Sequence, residues 1–286
     1  MTPHLSASTV SCAIGRRTVL RDVDLDVARG ETIGIVGPNG SGKSTLLRVL
    51  AGIRPATAGE VRLDGSPLHR LTARARARSI AFVGQEEELP ADLLVGEFVA
   101  LGRVPHRAPW AGGDTAERDA VGRALRAVEM ADAVGRPVEQ LSGGERRRVV
   151  LARGLAQDAA VLLLDEPTNH LDVRHQFALL HLVRRLGRTV VLAMHDLNLA
   201  ADHCDRILVL HDGRARPAAA PHDALSPETV RTVFGVDATR VTHPVTGATH
   251  LLLHPYTRRN DASTTPPSDG AGVGLLDGRA GGVRER

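Results

Sequence analysis

Short runs that are apolar throughout set the rhythm of this chain. TIGIV at 32–36, VLLL within 160–164, TVVLAM at 189–194 and ILVL within 206–210 are bounded by charged residues, Gly or Ser/Thr-type breakers, and weaker runs fall at 60–64 and 79–83. Runs without a polar alternate read as strands buried on both faces, as in a parallel sheet. Between them, apolar positions return every three or four residues. That spacing predicts helices over 115–131, 143–157 and 173–187, and a shorter one through TLLRVLAG that Gly52 closes. Strands alternating with helices imply an α/β fold with a mainly parallel sheet and helices on its faces. Nearly all of 90–157 carries the helical pattern, which predicts a helical subdomain inserted into one ordered unit spanning 1–255. Residues 257–286 hold six Gly, two Pro and no aromatic residue, so 256–286 is expected to be a disordered tail.

Composition narrows the function. The longest apolar run, Ala159–Leu164, is six residues, against the roughly 20 of a membrane-spanning helix. The first residues show no apolar core of a secretory signal. Cys12 and Cys204 form neither a disulfide framework nor a metal-ligand pair, which fits a reducing cytoplasm. A net charge of +3 and 2% aromatic residues argue against nucleic acid as a partner. Of 36 basic residues, Lys43 is the one lysine. Lysine is a compact point charge where arginine is a planar fork, so its appearance once marks position 43.

That position completes a motif. Gly37, Pro38, Asn39, Gly40, Ser41, Gly42, Lys43, Ser44 and Thr45 form a phosphate-binding loop between a predicted strand and a predicted helix. The glycines let backbone N–H groups turn toward phosphate oxygens, the helix start adds positive potential, Lys43 reaches the terminal phosphates and the Ser44 hydroxyl offers a Mg²⁺ ligand. VLLLDE at 161–166 is an apolar strand ending in two acids: Asp165 suits the metal, and Glu166 suits a general base toward water. LSGGE at 141–145 opens a helix through a Ser142–Glu145 capping box. Gly143 and Gly144 leave its mouth bare, a second anion site suited to the nucleotide of another subunit. Arg146, Arg147 and Arg148 read as a solvated helix face, RARAR at 74–78 as an exposed edge, and EEE at 86–88 either as a solvated turn or as charge for a groove that receives a partner.

The series GPNGSGKST, Gln85, LSGGE, VLLLDEP, LD at 171–172 and His195 resembles the ATP-binding cassette of ABC transporters across roughly residues 5–250. The resemblance implies a P-loop NTPase with an ABC ATPase core, an antiparallel β subdomain and an inserted α-helical subdomain. It implies ATP and Mg²⁺ as ligands. Gln85 becomes the lid-loop residue touching metal and water, Asp172 part of a loop crossing to the other subunit, and His195 the partner of the γ-phosphate. Ile14 stands where the family places an aromatic against adenine. With 99 positions between Lys43 and Ser142 and no sustained heptad, the chromosome-maintenance branch is excluded; with one cassette, so are the translation factors. LGRVPHR, PTNHLDVRHQ, HDLNLAADHCDRILVLHDGR and FGVD resemble ATPases of bacterial iron-siderophore, haem and cobalamin importers. The expected partners are transmembrane permease subunits, a second copy of the chain and, indirectly, a substrate-binding protein, with the chain peripheral on the cytoplasmic face of the inner membrane. The alternatives are an exporter's ATPase or a soluble ATPase of iron–sulfur assembly.

Overall fold

The computed structural model describes residues 2–85, 89–107, 115–169, 171–242, 244, 245, 247 and 249–255. The acidic turn at 86–88 and the expected tail at 256–286 lie outside these. In chain order the elements begin with β1 (Leu5–Ile14), β2 (Arg17–Val27), β3 (Thr32–Val36), α1 (Lys43–Leu50), β4 (Ala58–Leu63), β5 (Ser66–Pro67), α2 (Ala73–Ser79) and β6 (Ile80–Val83). Next come α3 (Val95–Ala100), α4 (Thr115–Ala127) and α5 (Gly143–Ala156), then β7 (Val161–Asp165), α6 (Val173–Arg185), β8 (Thr189–Met194), α7 (Leu197–His203), β9 (Arg206–His211) and β10 (Arg214–Ala215). Two short helices, α8 (Pro221–Ala224) and α9 (Pro227–Phe234), lead into the hairpin of β11 (Val236–Thr242) and β12 (Thr249–Pro255).

The central sheet runs β10-β9-β3-β8-β7-β6, with β9, β3, β8, β7 and β6 parallel. Its strands are buried on both faces, and the period of two assigns alternate side chains to different cores. Leu162, Leu164, Val190, Leu192, Ile207 and Val209 pack with α4, α5 and α6. Val161, Leu163, Val191, Ala193, Leu208 and Leu210 pack instead with α1 and a second, antiparallel sheet of order β2-β1-β4-β5. The apolar runs are strands because each must satisfy two hydrophobic faces at once.

The antiparallel sheet escapes the apolar-run pattern. In β1 only Leu5, Ala7, Val10 and Cys12 are buried, and the register slips between Ala7 and Val10. Hydrophobic alternation is therefore broken just where it would have been read. Most helix starts follow local caps. Ser142, Asp172, Asp196 and Ser226 each accept backbone N–H groups of the first turn. Gly52, expected to close α1, sits at φ +66 just past the Ala51 cap. Residues 74–78 are not an edge: they lie in α2, begun by Thr72, and Arg74 and Arg78 donate to the Pro105 carbonyl. No described helix is long and apolar enough to cross a membrane.

Both cysteines are buried, and burial pushes the Cys204 thiol up to about 12. Native protein at pH 8 is therefore predicted to react with Ellman's reagent far more slowly than denatured protein, which releases both thiols; immediate reaction of the native chain would contradict this packing.

Candidate nucleotide site

Four neighbouring strands, β3, β8, β7 and β6, point their C-terminal ends the same way, and each delivers part of one site. This is where open parallel sheets place ligands. From β3 comes the loop 37–42, which makes two demands that only glycine meets. A Cβ on Gly37 would lie 2.1 Å from the Leu210 carbonyl oxygen. Gly42, the residue before α1, sits at φ +109. The loop closes over Lys43, whose ammonium donates to the carbonyls of Gly37 at 2.9 Å and Pro38 at 3.3 Å. Burial holds the Lys43 pKa below its ordinary value, against the opposing pull of Glu166 and Asp165.

From β7 come the two acids. Asp165 is fully buried and accepts from the Ser44 hydroxyl at 3.0 Å, while its second oxygen has no hydrogen-bond partner. Burial raises its pKa. An orphaned carboxylate oxygen beside a serine hydroxyl is a hard-oxygen donor set that fits Mg²⁺. Glu166 turns the chain at φ +49, a left-handed conformation costly for a residue with a Cβ. Its carboxylate is gripped from both sides: Asn169 donates to one oxygen at 2.6 Å, and His195, delivered by β8, meets the other. An acid so held, buried yet open to the cavity, has the reach and fixed geometry of a general base.

Around these groups lies a cavity of about 1100 Å³. It gathers Asn39, Gly40, Gly42, Lys43, Ser44, Thr45, Gln85, Glu166 and His195. Gly37, Pro38 and Ser41 shape the loop from behind, and Asp165 sits beneath Ser44 without lining the space. Ile14 does not line the cavity either; its neighbours Arg16, Arg17, Thr18 and Val19 do. Ser142, Gly143, Gly144 and Asp172 lie outside it. Ser142 and Glu145 form the expected capping box, and Arg136 pins the Glu145 carboxylate, holding its pKa down at about 2. Nothing approaches within 4 Å of a Cβ built on Gly143, so this helix mouth presents bare backbone. Asp172 caps α6 through the His175 N–H at 2.9 Å, and that bond lowers its pKa.

Three contributors escaped the sequence reading. Asn169 was visible only as part of PTN, and its distance from Glu166 follows from a turn rather than a strand. The Arg16–Arg17 pair, which lines the cavity, belongs to no motif in the sequence. Arg147 is not part of a solvated face: its guanidinium turns inward onto loop carbonyls, while Arg146 stays exposed.

The family model described as ABC transporter matches residues 20–169, which contain the loop, the helix mouth and both acids. The chain belongs to the ABC transporter family. Among curated relatives, the cobalamin import ATP-binding protein of Halobacterium salinarum is 44% identical over 249 residues, covering 86% of this chain. The chain spans 62% of that protein's length. The hemin import ATP-binding protein of Pseudomonas fluorescens is 43% identical over 257 residues, covering 87% of this chain and 98% of its own. Among solved structures, an inward-facing transporter assigned to the metal-chelate type aligns with a TM-score of 0.77 at 25% identity, covering 88% of this chain and 97% of that one.

Among the described residues, the cassette's cavity rim offers Arg16, Arg17 and Arg21 but no Phe, Tyr or Trp. A guanidinium plane can stack on a purine as a ring does. With ATP in this cavity, replacing Arg16 and Arg17 together by Ala is predicted to weaken binding about fivefold, the scale of a cation–π contact. Ile14→Ala is predicted to change it little. Fluorescent-nucleotide titration reads both, and a larger loss at Ile14 would contradict the assignment.

Proposed function

We propose that this chain is the ATP-hydrolysing subunit of an ABC importer for bulky metal chelates of the iron-siderophore, haem or cobalamin class. The observation that carries the reading is the joined set at four strand ends: a phosphate loop, a buried Asp165 with a spare oxygen, and a Glu166 carboxylate held by Asn169 and His195. The cargo class rests on kinship with import proteins of two metal-chelate types and on the likeness to a metal-chelate transporter.

The chemistry proposed is hydrolysis of the terminal phosphoanhydride. The oxygen of a water molecule bonds to the γ-phosphorus, the bond to the bridging oxygen breaks, and ADP and phosphate leave. Glu166 accepts the water proton, and His195 and Asn169 fix the carboxylate for that task. Lys43 and the loop N–H groups receive the charge on the phosphates. Ser44, Asp165 and Gln85 would hold Mg²⁺, which supplies Lewis-acid polarisation of the phosphate oxygens when bound.

Half of the proposed site is missing from one chain. Ser142, Gly143 and Gly144 present an anion-binding helix mouth that lies outside the cavity. Pairing two copies head to tail would lay this mouth on the nucleotide of the other, giving two composite sites per dimer. We place the helical segment from 90 to 157, between β6 and β7, as the subdomain that meets the permease, because Gln85 lies at its junction with the site. The dimer would then sit at the cytoplasmic face of the membrane, bound through permease subunits that meet a substrate-binding protein on the far side.

Glu166→Gln keeps size and hydrogen bonding but removes the base. Its turnover is expected to fall at least about a hundredfold while ATP still binds, and ATP-dependent dimers accumulate. Turnover near that of the unaltered chain would exclude Glu166 as the base. Affinity purification from detergent-solubilised native membranes tests the transport reading: a polytopic permease supports it, and exclusively soluble partners would overturn it in favour of an assembly ATPase.

A further inference from the structure

One cation of α5 stands apart from its neighbours. The Arg147 guanidinium donates to five main-chain carbonyls: Gly84 at 2.6 Å, Gln85 at 2.9 Å, Asp165 at 2.8 Å, Glu166 at 2.9 Å and Pro167 at 3.3 Å. These carbonyls lie at two separate strand ends, in the loop leaving β6 and at the end of β7 and the loop that leaves it. Their chain positions lie far from Arg147, and no regular secondary structure joins them. A planar fork with donors on several edges can span both loops at once, which a lysine ammonium cannot do.

The position of the fork is informative. Three of its acceptors, on Asp165, Glu166 and Pro167, flank or belong to Glu166, whose φ of +49 is disfavoured for any residue with a side chain. Strained turns persist only where the surroundings over-determine them. Asn169 and His195 hold the Glu166 carboxylate, whereas its backbone carbonyl receives from Asn169 only a longer N–H bond of 3.3 Å. Arg147 holds that backbone. The other two strong contacts hold Gly84 and Gln85, the start of the loop that carries Gln85 into the cavity. Arg147 itself rides on the first turns of the helix whose mouth is Ser142. That helix is therefore wired directly to both loops that bear the candidate water-facing groups.

We propose that Arg147 is a positioning residue that ties the Ser142 helix mouth to Gln85 and Glu166, so that the geometry for hydrolysis depends on how α5 sits. Arg147 touches no reacting atom; it acts through the two loops. When a partner copy's nucleotide engages Ser142, a small shift of α5 passes through rigid hydrogen bonds to both loops together. The inference rests on the ATPase reading for its kinetic consequence, but the mechanical link stands on contacts alone.

The test compares the full chain with Arg147→Ala and Arg147→Lys in steady-state hydrolysis, nucleotide titration and amide hydrogen exchange. For Arg147→Ala, kcat is expected to fall tenfold or more, the scale of a small misplacement of reacting groups. KM and the Kd of a fluorescent ATP analogue should stay within about twofold. Exchange should accelerate in peptides covering Ile80–Gln85 and Val161–Asn169 and stay unchanged in β1, β2 and α9. Arg147→Lys should recover less than half of the lost kcat, since it keeps the charge without the fork. Unchanged kcat with unchanged exchange at both loops would overturn the proposal. So would accelerated exchange throughout the chain with a lowered Tm, which marks a merely structural arginine. Absence of hydrolysis by the unaltered chain would contradict the ATPase reading instead, and the exchange pattern would still decide the role of Arg147.

Discussion

The site depends on keeping two carboxylates out of water at the end of a buried strand. Asp165 is fully buried and Glu166 nearly so, and burial without partners would cost several kcal/mol per charge. Each neighbouring feature offsets part of that cost. Ser44 donates to Asp165, Asn169 and His195 hold Glu166, Lys43 adds a nearby positive charge, and Arg147 binds the carbonyls between. The opposed pKa directions of Lys43 and Asp165, down and up, report the same dry environment from both signs of charge. One Asp165 oxygen is still left without a hydrogen-bond partner, a hard-oxygen donor of the kind that suits a cation.

The sheet makes this burial possible. Alternate side chains of β7, β8 and β9 feed two cores on opposite faces, so the strands are fixed on both sides and their C-terminal ends cannot splay. Adjacent strand ends then bring Lys43, His195, Glu166 and Gln85 into one cavity although they come from four distant parts of the sequence. The lone lysine fits the same logic. Its ammonium meets the loop carbonyls of Gly37 and Pro38, a compact contact that suits a point charge better than a planar fork.

Much of this was legible in the sequence because the chemistry is local. TIGIV leading into GPNGSGKST, VLLLDE and LSGGE are contiguous words, and the strand and helix patterns around them were periodic enough to place them. Helices 143–157 and 173–187 differ from α5 and α6 only at their C-terminal ends. The predicted helix to 131 stops at Ala127 because Glu129 turns the chain at φ +57. What stayed hidden was non-local or irregular. The bulged β1 broke its own alternation. Arg147 sits in a run of three arginines, and nothing in that run distinguishes the one whose fork meets loops 62 and 18 positions away. Ile14 fell at the expected place in the chain, yet the turn after it hands the cavity rim to Arg16 and Arg17.

The central claim is that one chain holds half of a catalytic site and a second copy supplies the rest through Ser142. Because Ser142 lies outside the cavity and on an exposed helix mouth, Ser142→Arg separates the two halves cleanly. Measuring nucleotide affinity and ATP turnover of that variant is the most direct test. The account predicts affinity within about twofold of the unaltered chain and turnover reduced at least about a hundredfold, as expected when a transition-state anion contact is removed and replaced by steric bulk. Turnover equal to that of the unaltered chain would contradict it, because each chain would then hydrolyse ATP on its own.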